Sequence, residues 1–196
     1  MINNYVQNIT IIYLILARVF IYIKSFYIRI NYILKGAKIG FGFKVIGNCK
    51  IRGWYCNVTI GKKVDIHNNC CILVGHNALL KIGCRSSISY NTIINAGAGN
   101  IIIGENTMIA GNCYIVSNDH DIYTTLSVRD SGHIVGDIYI GNNVWIGANV
   151  VITKGVHIGD GAIIGAGSVV TKDIPSMSIA YGVPCRVVSD RVLKNE

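Results

Sequence analysis

Charge is scarce in this chain of 196 residues: Asp, Glu, Lys and Arg together make up 14% of it, against 51% hydrophobic residues. That balance excludes a disordered segment, which stays unfolded through high charge and few apolar groups. Proline is rarer still, with 2 residues against 22 glycines, and the composition is too poor in helix formers for a helical bundle. The seven cysteines (Cys49, Cys56, Cys70, Cys71, Cys84, Cys113 and Cys185) are odd in number and contain no CxxC pair. Neither a disulfide framework nor a zinc knuckle fits them, and free thiols in the cytoplasm do. Zinc-finger spacing, an aromatic RNA-binding signature and long basic runs are also missing, so nucleic acid is not an expected partner. The net charge of +8 points instead to a phosphorylated cofactor, a membrane surface or plain solubility. What is left is one β-rich domain punctuated by glycine, with enough chain for a substantial core.

The first 35 residues differ from the rest. Residues 9–23 read ITIIYLILARVFIYI, almost wholly apolar with Arg18 inside. The run falls short of the roughly 20 apolar residues of a spanning helix, and no small-residue cleavage site follows it. It continues through Lys24, Arg29 and Lys35, interleaved with Tyr22, Phe26, Tyr27 and Tyr32. Cations among aromatics suit a helix lying in a membrane interface, and packing on its own domain or at a subunit contact accounts for the same pattern. Residues 1–35 are therefore expected to be a helical segment that attaches reversibly to membrane, with residues 36–196 assembling without it.

From residue 140 the chain reads IGNNVW, IGANVV, ITKGVH, IGDGAI, IGAGSV, VTKDIP. An aliphatic residue recurs every six positions, at Ile140, Ile146, Ile152, Ile158, Ile164 and Val170, and Gly follows four of them. Neither a helical period nor simple alternation produces such a run. With short phase slips the frame extends back through Ile103, Ile109 and Ile115, then Ile82, Ile88 and Ile94, then Ile60, Ile66 and Ile72, and finally Ile39, Val45 and Ile51. Residues 39–175 thus hold six sets of three, interrupted by a loop at 121–139 after the fourth. Each hexad supplies a short strand and a turn, and three close a triangular coil with the aliphatic residues inside. Gly after the aliphatic residue permits tight backbone. Small side chains four positions on, such as Val144, Thr107, Cys113, Cys49 and Cys70, read as core filler. Six coils about 4.8 Å apart make a prism about 29 Å long, held by stacking because one coil cannot bury its own apolar face. The expected fold is an all-β solenoid (36–175) behind the hydrophobic segment, with a tail at 176–196.

The stretch IGNNVWIGANVVITKGVHIGDGAIIGAGSVVTKDIP, followed by GVPCRVV, resembles the hexapeptide-repeat acyltransferases. The likeness is to the galactoside, maltose and serine acetyltransferase branch, which includes capsule, colanic acid and O-antigen O-acetyltransferases. It covers residues 39 to about 188 and is strongest from Ile140 to Val187. It implies a left-handed parallel β-helix, a homotrimer, and acetyl-CoA in the groove between coils as acyl donor. The hand comes from the resemblance, because the usual crossover is right-handed. It also implies a catalytic histidine at the end of the coil before an extended loop. Here the residues are IVSNDHDIY, which puts His120 at that point.

Acetyl transfer to a hydroxyl needs a base, donors for the tetrahedral oxyanion, and two substrates held in contact. An imidazole titrates near neutral pH, so His120 is the expected general base, with the flanking Asp119 and Asp121 as candidates to orient its ring. The resemblance assigns the oxyanion donor to the backbone of Ala148, after Gly147, with Trp145 lining the cofactor groove. It runs the pantetheine arm past Gly165 and Ala166 and the nucleotide end toward Thr171, Lys172 and Arg186, whose cations suit phosphate. The positions where the galactoside branch holds its acceptor are Ser89 and Gly97 here, with Asn91 and Asn95 nearby but out of register. The galactoside substrate therefore does not carry over, and the apolar leader points to a polysaccharide or lipid-linked saccharide. Thiols fall mainly on core registers, so direct transfer is expected without an acyl-cysteine. N-acetyl transfer to an amino sugar and a non-catalytic scaffold are the alternatives. Hexapeptide carbonic anhydrases hold zinc with three histidines on this fold. No histidine follows His120 within four residues, and His133 could join it only if the loop folded back, so no metal is expected. The expected location is the cytoplasm, peripheral on the inner face of its membrane where residues 1–35 bind there.

Overall fold

The computed structural model describes the backbone of residues 2–192 and the side chains of residues 10–192; residues 193–196 of the expected tail lie outside that range. The inward aliphatic residues of all six sets are buried, none more than 6% exposed. Parallel pairing stacks each on its equivalent one coil away: Ile39 on Ile60 on Ile82, then Ile103 on Ile140 on Ile158. The result is a parallel β-solenoid of six full coils, the left-handed β-helix of hexapeptide repeats, with three flat faces. The first face runs from Lys38–Ile39 to His157–Ile158, the second from Lys44–Val45 to Ser178–Tyr181, and the third from Cys49–Gly53 to Val169–Val170. A partial seventh turn follows, in which Ile174 bridges to Ile158. The antiparallel strand Arg186–Asp190 then closes the second face beyond Ser178–Tyr181.

The glycine after each inward residue of the first face has a steric cause. A Cβ on Gly61 would lie 2.6 Å from the Cys84 nitrogen, and one on Gly104 would lie 2.5 Å from the Gly141 carbonyl carbon. Successive coils touch backbone to backbone at this edge, so any side chain would push them apart. Positive φ is needed two residues later, at Lys63, Arg85, Asn106 and Asn143, where asparagine tolerates it best. Small polar residues in the inward register add rungs between coils. Ser86 Oγ donates to the Gly104 carbonyl at 2.7 Å and Thr107 Oγ1 to the Gly141 carbonyl at 2.7 Å.

One helix, Ile2–Leu34, precedes the prism. It contains no Gly or Pro and stops at Gly36, whose φ of +101° allows the backbone to reverse. There the Ala37 N–H donates to the Tyr32 carbonyl and the Gly36 N–H to the Ile33 carbonyl, a Schellman closure. Residues Ala17, Ile21, Lys24, Ser25, Ile28, Arg29, Tyr32 and Ile33, at spacings of one, three and four, form its covered side. That side lies across the open end of the first coil and occupies backbone groups that have no coil beneath them. Ser25 Oγ accepts the Val45 N–H at 2.9 Å and Tyr32 Oη the Ile51 N–H at 3.2 Å. Lys24 Nζ donates to the Gly47 carbonyl at 2.6 Å, and Arg29 Nε to the carbonyls of Ile39 and Gly40. The covered side begins at Ala17, and residues 10–16 are all exposed. The second half of the helix thus packs on the first coil and caps it.

Deletion of residues 1–16 should leave the melting temperature within about 2 °C, because the covered side of the helix begins at Ala17. Deletion of residues 1–35 strips the cap and uncovers Ile39, Phe43 and Val45. It should lower the melting temperature by more than about 10 °C or prevent folding, as read by calorimetry on both truncations.

Candidate functional site

After Val116 the chain leaves the fourth coil and returns at Ile138, which is fully buried. The excursion opens and closes earlier than the 121–139 of the hexad frame, since Asn118–His120 is already paired with His133–Val135. Its base is stitched at both ends. Ser117 is buried; its Oγ donates to the Gly99 carbonyl at 2.9 Å, and its own carbonyl accepts the Gly136 N–H at 3.0 Å. Asp137 accepts the backbone N–H of Asn100 at 2.8 Å and the Asn100 side-chain amide at 2.9 Å. Burial pushes the Asp137 carboxyl up, but the two Asn100 donors, helped by Tyr139 and His157, outweigh it and hold it below the usual carboxylate range.

In this hairpin His120 stands opposite His133, with ring centroids 4.7 Å apart and planes tilted by 43°. The folding back of the loop brings His133 to the base candidate. Both flanking carboxylates are otherwise engaged. Asp119 Oδ2 pairs with Lys154 Nζ at 2.6 Å, and Asp121 Oδ1 accepts the Tyr123 N–H at 2.9 Å. Among the described residues no hydrogen bond joins either of them to the His120 ring. The sequence offered His133 only on the condition that the loop folded back, because its approach depends on an antiparallel register within a loop that has no repeat.

A cavity of about 340 Å³ opens beside His120, lined by Asn95, Tyr114, Val116, Asn118, Asp119 and His133. Two amide oxygens near it, Asn95 Oδ1 and Asn118 Oδ1, are buried without a protein partner. Gly97 leaves room between them: a Cβ there would lie 2.9 Å from the first and 3.1 Å from the second. Unpartnered buried acceptors are rare in a satisfied interior and suit a ligand that brings donors. A larger hollow of about 770 Å³ lies along the first face, with Tyr139, His157 and Asp173 in its wall, away from the histidine pair.

The remaining candidates divide between two edges of the triangle. His120, Thr171 and Lys172 lie where the third face turns into the first, and Thr171 and Lys172 are exposed. Ser89, Asn91, Gly147, Ala148, Gly165 and Ala166 stack where the second face turns into the third. Trp145 points outward from the second face, 53% exposed, and Arg186 is exposed at the start of the closing strand. Asn91 donates to Asn112 Oδ1 at 3.0 Å within a ladder of positive-φ asparagines, a structural commitment. The carbonyl of Ala148 accepts the Gly167 N–H at 2.8 Å, while among the described residues its own N–H has no protein acceptor. One chain therefore does not bring His120 and Ala148 together.

His120 and His133 form a pair, and among the described residues no group of three His, Cys, Asp or Glu side chains converges as a metal site. Burial pushes the Cys49 thiol up to about 12, with Cys70 and Cys71 adding to the shift, and raises Cys70, Cys113 and Cys185 as well. These thiols stay protonated at neutral pH and are poor nucleophiles.

Comparison with known proteins agrees with this architecture. The bacterial transferase hexapeptide (six repeats) family model matches residues 137–172. The galactoside O-acetyltransferase of Escherichia coli is 50% identical over 91 residues, which is 46% of this chain and 44% of that protein. The chain spans less than half the length of the curated relatives it matches. The crystal structure of a maltose O-acetyltransferase from Clostridium difficile is 35% identical, covering 78% of this chain and 68% of that one, with a TM-score of 0.55. A variant of the Bacillus cereus N-acyltransferase AntD, in complex with dTDP and coenzyme A, superposes with a TM-score of 0.72 at 23% identity. That match covers 81% of this chain and 86% of the other, and it speaks for the fold.

Asp137→Ala should loosen the hairpin at its return point. A carboxylate held below its ordinary value contributes stability above the unfolded value near 4 and loses it as the pH falls through the folded value. Hydrogen exchange of residues 118–136 at pH 7 should rise about tenfold or more in the variant, and the difference from wild type should shrink in acid. Equal protection at pH 7 would remove Asp137 from this role.

Proposed function

This chain belongs to the bacterial transferases built from hexapeptide repeats, and we propose that it transfers an acetyl group from acetyl-CoA to a hydroxyl of a saccharide, with His120 as general base. The observation that carries the reading is one exposed imidazole at the mouth of a polar cavity, on a hairpin pinned at both ends. A ring nitrogen of His120 takes the acceptor proton as the hydroxyl oxygen attacks the thioester carbonyl. The new C–O bond gives a tetrahedral oxyanion, the C–S bond breaks, and the CoA thiolate leaves with the proton from the imidazolium. His133 holds the His120 ring from the opposite strand. Asn95 and Asn118 offer amide oxygens to acceptor hydroxyls, the donors a sugar presents in plenty. Hydroxyl acceptors are preferred to amines because the relatives at 50% and 35% identity are named galactoside and maltose O-acetyltransferases. No cysteine lines the cavity at His120, and Cys70, Cys113 and Cys185 are buried with their thiols pushed up, so transfer is direct and leaves no acyl-enzyme.

The oxyanion donor comes from a second copy. The free N–H of Ala148 lies on a different edge from His120, so each site uses the His120 edge of one chain and the Ala148 edge of its neighbour. A heterologous contact that closes after three chains supplies three such sites. CoA then lies along the groove between chains, past Trp145, Gly165 and Ala166, with Thr171, Lys172 and Arg186 near its phosphates.

His120→Ala should lower kcat with a saccharide acceptor by about 10²-fold or more and leave the melting temperature unchanged, since the side chain is exposed. A near-wild-type rate would remove His120 from the mechanism.

Light scattering should give a mass of about 64 kDa, three chains of 21.3 kDa each. Co-assembly of His120→Ala with Ala166→Trp, each inactive alone, should restore about a quarter of the wild-type rate, because some sites then combine two intact edges. No recovery in mixed trimers would mean that each site lies within one chain.

A further inference from the structure

The charge of this chain is segregated to one end. All 10 acidic residues lie at or after Asp65, whereas 10 of the 18 Lys and Arg residues precede it. The helix, the first coil and the start of the second carry positive charge without a single carboxylate. Much of it is exposed, at Lys35, Lys38, Lys50, Arg52, Lys62 and Lys63. From Asp65 onward the 8 basic residues are outnumbered by the 10 acidic ones, so the net +8 belongs wholly to the helix end of the prism.

The same end carries the largest uncovered apolar surface. From Ile11 to Leu16 every side chain is more than half exposed. Six consecutive positions point in every direction around a helix, so this stretch has no polar side. Further along, the prism covers one side of the helix, and the opposite side presents Phe20, Ile23, Tyr27, Ile30 and Leu34, spaced three and four apart. A protein groove covers one face of a helix; hydrocarbon covers all of them. Thr10–Leu34 is long and apolar enough to cross a bilayer by length and composition. Its portion from Ala17 to Ile33 is fastened along the prism, however, and of that span Ile11–Leu16 supplies only about 9 Å of uncovered helix against a hydrocarbon core of about 30 Å.

We infer that this end of the prism is a docking surface for an anionic lipid bilayer: the basic first coil sits on the headgroups, the stripe from Phe20 to Leu34 lies at the acyl boundary, and residues 10–16 enter one leaflet. The uncovered helix would otherwise leave a contiguous apolar patch in water, and the positive charge beside it fits anionic headgroups. Docking does not depend on the proposed acetyl transfer. Taken with that reading, it places His120, on the fourth coil, about 14 Å beyond the first coil, within reach of an acceptor carried on a lipid headgroup.

The test is sedimentation of the full-length protein with vesicles of phosphatidylcholine alone and of phosphatidylcholine containing about 30% phosphatidylserine; partition to the anionic vesicles should be at least about tenfold higher. Ile12→Glu with Leu16→Glu, both at exposed positions, should abolish pelleting with an unchanged melting temperature and molecular mass. Lys38→Glu with Lys50→Glu should abolish the anionic preference. His120→Ala should pellet like the wild type, so loss of catalysis and loss of docking are separable. Equal partition to both vesicle types, or none to either, overturns the inference. So does a change of oligomeric mass in the Ile12/Leu16 variant with pelleting intact, which would assign the helix to a second copy.

Discussion

A parallel ladder has two open ends, and this structure is governed by closing them. Each interior coil bonds to the coil on either side, so its backbone groups are satisfied without help. The first and last coils each lack one neighbour, and their free N–H and C=O groups, next to a buried aliphatic core, must find other partners. At the start, Ser25, Tyr32, Lys24 and Arg29 act for the missing coil, each supplying the donor or acceptor that the backbone group opposite requires. At the other end, the antiparallel strand Arg186–Asp190 pairs with Ser178–Tyr181 and stops the ladder by reversing it.

Coil contact also decides which residues are tolerated between the ends. The backbones at the first edge approach so closely that only glycine fits at Gly61 and Gly104. Hydroxyls of Ser86 and Thr107 can sit among isoleucines because the turn of the next coil offers a carbonyl within 2.7 Å. An excursion from such a ladder has to return in register, or every later aliphatic residue is displaced. Ile103 pairs with Ile140 across a gap of 37 residues where Ile82 and Ile103 are only 21 apart, and no register is lost. Asn100 and Asp137 hold that return, and the stiffness that protects the fold fixes the histidine pair in place.

What the sequence made legible follows from the same constraint. Stacking repeats the same demand every six residues, so the inward positions of all six coils could be read from Ile39 to Val170. Features outside the repeat left no such trace. The capping role of Ser25 and Tyr32 is hidden in an apolar run, because a single hydroxyl that faces one backbone N–H has no period. His120 was singled out by its position at the end of a coil, and His133 only on the condition that the loop folded back. The flanking Asp119 and Asp121 are closest to it in sequence, yet Lys154 and the Tyr123 N–H engage them, and His133, thirteen residues away, faces the ring. Asn95 likewise fell outside the acceptor register, although its amide lines the cavity.

A solenoid stabilised by nearest-neighbour contacts can carry unlike surfaces at separate places without conflict. In a globular core, a long uncovered apolar helix and a dense excess of positive charge would disturb packing throughout. Here the cost of that end is confined to the first coil, where the cap restores the bonds, and little of it passes through two further coils to the histidine hairpin. The edges are free in the same way: side chains at a turn face outward and take no part in the aliphatic stack. One edge can therefore carry His120 and another the free N–H of Ala148, with the union of the two left to the arrangement of chains. Division of a site between edges is open to a prism because its core needs nothing from its corners.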